Sequence, residues 1–501
     1  MDSEHSPRLA QQLGFWSALA IVVGSVIGSG IFKKSSVMAA QLGSAELLLL
    51  VWALAGAITL CGALTNAEIA SMLPLTGGQY QFFRVMYGDF FAYLYGWAMV
   101  AVVQTGSIAS IAYVFAEHFS YFVPLPRLPA SVEHAWALAV PGIGTLFPLE
   151  NLGVKLLTLA AIWVLTVVNV YGARLGGGIQ VLLTGLKLGM LLALIAIALV
   201  VTGLSTPAAS TSPSLPTPTG WQLAGAFAAA LSGAFWAYDG WNNVTYVAGE
   251  VRSAERSIPS ALVLGMLTVT AIYLLVNLSY ILALPLPELA RSQLVGVDAA
   301  RALIGEPGAL LLAAGVIVST LGTTNGTILA SARLSYAMAE AGSFFPQLRY
   351  VHPRFRTPTR ALWLQALWAS VLVISGSFDI LTDMLIFVSW GFYALGAAGI
   401  FVLRRRYPEA PRPWRVWGYP IVPLLFVLFA TLYVVLSLVE DISAFRAGES
   451  PIVRTVAGIA LTCAGIPLYA LLRRRSTSAE VFPKLLKTDE SRAIPPAPNN
   501  P

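Results

Sequence analysis

Two ionisable residues stand inside long apolar runs. Lys187 lies in IQVLLTGLKLGMLLALIAIAL, and Asp239 in AAALSGAFWAYDGWNNVTYVAGE. A lysine at the centre of a membrane helix costs about 2.5–3.5 kcal/mol on insertion scales, so it must face a partner or a cavity. Lys187 is too deep for its stem to reach the interface. It has two readings. One is an inward lysine satisfied by backbone carbonyls in a purely structural role. The other is a built-in cation that fills an ion position permanently or, by releasing its proton, links the protein to pH.

Two glycine-rich segments lie in comparable surroundings. The first apolar run, GFWSALAIVVGSVIGSGIF, carries Gly14, Gly24, Gly28 and Gly30 with Ser25 and Ser29 between them. Gly24 and Gly28 fit close helix packing. Gly28-Ser29-Gly30 near mid-span also fits a helix that unwinds. Irregular backbone at that depth is tolerated only inside protein or beside a cavity. A half-helix restarting at Ser29 and Gly30 would present N–H donors and a positive dipole end, a site suited to a carboxylate. The second segment, around Asp239, contains Gly233 and Gly240, and these three residues are expected to interrupt that helix. Trp236, Tyr238 and Trp241 crowd the same stretch. Tryptophans in membrane proteins are commonly interface anchors, a reading that weakens beside a mid-depth break.

The elements that position these residues follow from composition. The chain has 501 residues, 57% hydrophobic and only 11% charged, with a mean hydropathy of +0.74. Soluble proteins carry roughly 25% charge. The shortage excludes a soluble enzyme, a secreted scaffold or a disordered chain. Apolar runs of spanning length fall near 14–40, 45–72, 86–117, 152–171, 177–202, 222–248, 260–284, 308–338, 361–377, 380–403, 420–439 and 452–472. The expected fold is an all-α polytopic membrane protein with twelve transmembrane helices. The two breaks fall in spans one and six. That is where a five-helix unit repeated once in inverted orientation would place corresponding helices, with a site between them at the midplane. The expected organisation is an N-terminal segment 1–13, five-helix repeats 14–202 and 222–403, an external linker 203–221, helices eleven and twelve within 404–475, and a disordered tail 476–501. Lys and Arg concentrate in the loops on the N-terminal side, including Arg404, Arg405, Arg406, Arg412 and Arg415. By the positive-inside rule both termini are then cytoplasmic. These basic runs read as topogenic charge, which also accounts for the net charge of +6.

Other chemistry is missing. No Walker A, GxSxG, HExxH or Cys/His cluster occurs, so neither an enzyme nor a metal or cofactor site is expected. Cys61 and Cys463 both sit in apolar runs and suggest no disulfide framework. The acids Glu68, Asp89, Glu117, Asp379 and Asp383 lie near span ends and read mostly as interface or loop-pairing charges. Span eight, STLGTTNGTILASARLSYAMA, is rich in small polar residues and reads as a helix against a polar core, with no single residue standing out.

GSVIGSGIF, ALTNAEIASMLPLTGGQY, the lysine in LTGLKLG and FWAYDGWNNV together resemble the amino acid–polyamine–organocation superfamily, over about residues 12–475. The branch they most resemble holds the L-type amino acid transporters and bacterial serine/threonine exchanger-like proteins. The resemblance implies that a substrate carboxylate meets backbone N–H groups around Gly28, Ser29 and Gly30. It implies that the α-amino group meets carbonyls of Val26 and Ile27 and the break near Trp236 and Asp239. Trp236 would be the aromatic gate, where many members have Phe. Asn242 would line the side-chain pocket, and Ser389 and Trp390 would form a polar–Trp pair near the substrate's far end. Lys187, where spans one, five and eight cross, matches the lysine that replaces a sodium ion. The first reading is therefore a sodium-independent exchanger of neutral L-amino acids working by alternating access. Proton-coupled uptake and a cationic amino-acid or polyamine carrier, with Asp239 as counter-charge, stay open. So does a non-transporting membrane sensor. Animal relatives carry a disulfide-linked heavy chain through the loop between spans three and four. Residues 118–151 hold no Cys, so no such partner is expected.

Overall fold

In a computed structural model the described residues are 13–140, 144–203, 215–375, 378–448 and 452–472. The chain is built from helices. The first apolar run forms α1 (Phe15–Val26) and α2 (Gly30–Leu42), separated by Ile27–Ser29. α2 stops at Gly43, whose φ of +63° requires a residue that accepts the left-handed region. α3 (Ala45–Met72) opens on Ser44, whose hydroxyl caps the N–H of Leu47 at 3.2 Å. Then follow α4 (Gln79–Tyr87) and α5 (Asp89–Ala98). The latter runs through one π-helical turn, Met99–Val103, into α6 (Gln104–Phe119). The third span therefore starts at Asp89, after the positive-φ Gly88, and not at residue 86.

A loop with a short α7 (Ala130–Glu133) and an antiparallel pair, β1 (Leu138–Val140) with β2 (Gly144–Leu146), leads to α8 (Leu152–Val170) and α9 (Ala173–Thr202). Hydropathy alone gave no sign of this hairpin. Lys155 fastens it, donating to the carbonyls of Phe147, Pro148 and Ile374 at 3.0–3.3 Å.

The second half opens with α10 (Gly220–Tyr238) and a single turn, α11 (Asn243–Tyr246). α12 (Ala254–Ala283) is followed by the short α13 (Leu286–Arg291) and α14 (Val295–Ile304). Next come α15 (Glu306–Glu340), α16 (Thr359–Ser375), α17 (Phe378–Arg406), α18 (Ile421–Arg446), α19 (Arg454–Cys463) and α20 (Gly465–Leu472). Ten helical segments among the described residues are long and apolar enough to cross a bilayer, counting α1 with α2 as one. α16 is apolar but shorter.

α15, 35 residues and about 52 Å long, runs through the centre against α6, α9 and α1. Its buried hydroxyls turn back on its own carbonyls, as Thr320 does to Val316 O and Thr324 to Thr320 O at 2.8 Å. The polar core expected of span eight is present. α3 lies along α12 and α10.

Three of the span-end acids pair with bases on neighbouring helices and not with loops. Glu117 meets Lys33 at 2.7 Å, Asp89 meets Arg84 at 3.0 Å, and Asp383 meets Arg454. Glu68 is fully buried. Its oxygens accept from Arg404 at 2.7 and 2.9 Å and from the Val416 N–H at 2.8 Å. The side chain of Asp379 and the tail 476–501 lie outside the described residues.

Candidate functional site

The two breaks meet. α1 ends at Val26 and α2 restarts at Gly30. α10 ends at Tyr238, and Asp239–Asn242 separate it from α11. A Cβ on Gly30 would stand 2.4 Å from Ala237 Cα, and one on Gly240 3.0 Å from the carbonyl oxygen of Ser25. The backbones cross at touching distance, which only glycine permits here. Gly240, at φ +94°, also needs glycine for its conformation. Gly233, expected to interrupt the sixth span, does not: it sits inside continuous α10, facing Met38 and Lys34 of α2, which a Cβ would meet at an ordinary 3.4–3.6 Å. The Tyr273 hydroxyl of α12 lies 2.8 Å from Val26 O and 2.9 Å from Ala237 O. One phenol thus ties the frayed ends of both helices.

Gly30→Ala is expected to collide with main chain, which cannot yield cheaply. The cost should be about 1–3 kcal/mol, with loss of function. Gly28→Ala meets only the Thr323 side chain, its methyl at 3.1 Å and its hydroxyl at 3.4 Å, and should be milder. Melting and uptake of the two variants side by side check that order; equal behaviour would contradict the crossing geometry.

A cavity opens at the crossing. It is lined by Ser25, Val26, Gly28, Ser29, Gly30, Gln104, Ser107, Ile111, Trp236, Asp239, Gly240, Asn243, Thr323 and Thr327. Its open space is about 20 Å³, room for one or two waters. Gly30 opens α2, so the first N–H groups of that helix have no acceptor within it. The hydroxyls of Ser25 and Ser29 are buried without a hydrogen-bond partner among the described residues. Buried polar atoms are normally paired, so these two mark a place for a polar ligand. Asp239 is half-buried; one of its oxygens accepts from the Tyr393 hydroxyl at 2.8 Å.

Lys187 is fully buried behind the first break. Its ammonium donates to Gly24 O at 2.8 Å, Ile27 O at 2.6 Å and Thr323 Oγ1 at 2.9 Å. An ammonium has three donors, and all three are used. The expected crossing of spans one, five and eight is where it sits, through α1, α9 and α15.

Some expected residues are elsewhere. The Ile27 carbonyl is taken by Lys187 and is not turned to the cavity. Asn242 pairs with Asn66. Its neighbour Asn243 lines the cavity instead, accepting from Gln104 at 3.0 Å. Ser389 bonds its own helix at Leu385 O, 2.8 Å away. Trp390 packs on Phe235, with ring centroids 3.7 Å apart, and neither Ser389 nor Trp390 lines the cavity. Sequence reading also missed Thr323, Thr327, Gln104 and Ser107. Each is a small or neutral polar residue in a helix with several of its kind, and only the packing selects it.

On the side of the N-terminus two contacts tie the segment after α11 to the rest of the bundle. Leu13 pairs with the segment after α11, its N–H donating to Glu250 O at 2.9 Å and its carbonyl accepting from Arg252 N at 2.8 Å. Arg333 and Glu250 form a buried ion pair, with Nε–Oε1 at 2.9 Å and Nη2–Oε2 at 3.3 Å, and Arg333 Nη1 donates to Leu329 O.

The amino acid permease family profile matches residues 13–461. The chain belongs to that family. The permease is 29% identical to the serine/threonine exchanger SteT of Bacillus subtilis (strain 168), over 94% of this chain and 98% of that protein. It is 31% identical to the human b(0,+)-type amino acid transporter 1, over 86% and 83% of the two chains. It is also 31% identical to the rat large neutral amino acids transporter small subunit 2, over 92% and 81%. The permease is therefore a multi-pass membrane protein, and no catalytic constellation is needed to account for its family. Cys61 and Cys463 are free thiols.

Proposed function

We propose that this permease exchanges neutral L-α-amino acids across the membrane, without sodium, by alternating access. The observation that carries the proposal is one cavity between two broken helices, supplied with unengaged N–H groups and two unpartnered serine hydroxyls. A carboxylate suits the start of α2, where Ser29 and Gly30 aim donors and a positive dipole end. An α-ammonium suits the opposite wall, where Val26 and Trp236 line the cavity beside the Asp239 carboxylate. The names of the relatives, from a serine/threonine exchanger to a transporter of large neutral amino acids, share that α-amino-acid core. Sodium independence is supported by Lys187, which fills the gap among Gly24, Ile27 and Thr323 with its own charge.

The cavity is too small for an amino acid, so a gate must move. Trp236, at the last turn of α10, is the gate in this reading. Trp236→Ala is expected to lower the translocation rate more than the apparent affinity. Unchanged exchange kinetics in proteoliposomes would count against it. We also read the spans as twelve, in repeats 14–202 and 222–403 plus helices eleven and twelve, with both termini cytoplasmic. Accessibility of single cysteines placed in the loops tests that topology.

Counterflow decides the main question. Proteoliposomes loaded with one unlabelled amino acid should take up labelled serine, threonine or larger neutral amino acids equally well with sodium or choline outside. No counterflow with any neutral amino acid, or an absolute need for sodium, would overturn the proposal. A second reading, a cationic amino-acid carrier, is favoured by one observation. Asp239 lines the cavity, and among the described residues no Lys or Arg pairs with it. Preferential counterflow of lysine or arginine, lost in Asp239→Asn, would establish that reading instead.

A further inference from the structure

A second cavity, of about 300 Å³, lies between α9, α14 and α15, away from the substrate cavity. Its lining includes Leu186, Leu194, Ile304, Leu311, Gly315 and Val318, and every lining residue is aliphatic, methionine or glycine. No donor or acceptor side chain is offered, so a polar solute gains nothing there. The mouth faces outward. Leu311 is 65% exposed and Leu186 54%, and in a membrane-spanning helix that exposure is to hydrocarbon.

The groove has a defined length. Along α9 it runs from Leu186 to Ile197, and along α15 from Gly308 to Val318. At 1.5 Å per residue the two stretches rise about 15–17 Å. That is half of a hydrocarbon core about 30 Å thick, the depth of one leaflet. Its shallow end is closed by Ala300 and Ile304 of α14, and its deep end lies one residue from Lys187.

We infer that this groove is a binding site for a single acyl chain of a bilayer lipid, from the leaflet on the side of α14. Length, apolarity and an opening to hydrocarbon fit a chain that enters at the surface and ends at the midplane. The chain then occupies space between α9, which carries Lys187, and α15, which carries Thr323. The inference does not depend on which amino acid is carried.

Photolabelling tests it. The full-length protein is placed in phosphatidylethanolamine/phosphatidylglycerol nanodiscs doped with a phospholipid bearing a diazirine along one chain. Adducts are then mapped by mass spectrometry. Peptides covering 183–200 and 304–320 should be labelled several-fold more than the exposed span α18. Ala193 and Ala314 stand exposed at the groove's mouth. The double variant Ala193→Phe/Ala314→Phe should lose that excess while labelling of α18 and the gel-filtration profile stay unchanged. Equal labelling of groove and α18, or an excess that survives in the filled variant, would overturn the inference. So would displacement of the chain label by a sterol photoprobe. Should the filled variant fail to fold, phospholipids with chains too short to reach the midplane replace it: they should reduce labelling at Leu186 and Val318, and undiminished labelling there would overturn the inference.

Discussion

Lys187→Ala is expected to cut amino-acid exchange by an order of magnitude or more. The substitution removes a charge, but it also takes the donor from two carbonyls. Gly24 O and Ile27 O accept from the ammonium at 2.8 and 2.6 Å, and the single proton of the Thr323 hydroxyl, 3.0–3.1 Å from both, can serve only one of them in its place. Each buried group left unpaired costs about 1–3 kcal/mol. One carbonyl belongs to the last turn of α1 and the other to the first residue of the break, so the strain falls on the break itself. That geometry, more than net charge, positions Ser25 and Ser29 toward the cavity. Counterflow in proteoliposomes measures the effect, with gel filtration in detergent showing whether the variant stays monodisperse. Wild-type exchange by a well-folded Lys187→Ala protein would sink the role given to the lysine.

Arg333→Met should be the most destabilising single change outside the cavity. Glu250 would keep a carboxylate in a dry site with no cation. Breaking a buried pair by removing one partner costs about 3–5 kcal/mol, whereas replacing both partners by apolar groups is often close to neutral. The expected drop in melting temperature is roughly 6 °C or more. Arg333→Met/Glu250→Met should recover much of it. Recovery of stability need not bring back exchange, because the pair joins α15 to the segment that also holds Leu13. A single variant that melts like the wild type would show that the pair contributes little.

Periodicity and charge made the helical frame legible. Long apolar runs are the strongest signal a membrane chain carries, and most of the runs correspond to helices within a few residues. The two breaks were legible because glycine at mid-span is costly, and Lys187 because charge there is costlier still. Gly233 misled because a glycine can also sit in an unbroken helix, and here even a Cβ would meet Met38 and Lys34 only at ordinary contact distance. Asn242 and Asn243 differ by one position and by about 100° around a helix, so sequence cannot say which side chain faces the cavity. Arg333 escaped notice because its partner Glu250 is 83 positions away. Thr323 escaped because its meaning depends on an ammonium from another helix.

The grip on Glu68 has a mechanical consequence. Both of its oxygens accept from Arg404 in the last turn of α17, and one also accepts from the Val416 N–H in the connector before α18. The end of α3 is thus bolted to α17 through a guanidinium and laced to residues 407–420 at the same carboxylate. α3 in turn lies along α10 and α12, so a tilt of those helices loads that joint. While the guanidinium holds, the end of α17 and the connector behind it travel with α3 as one hinge plate.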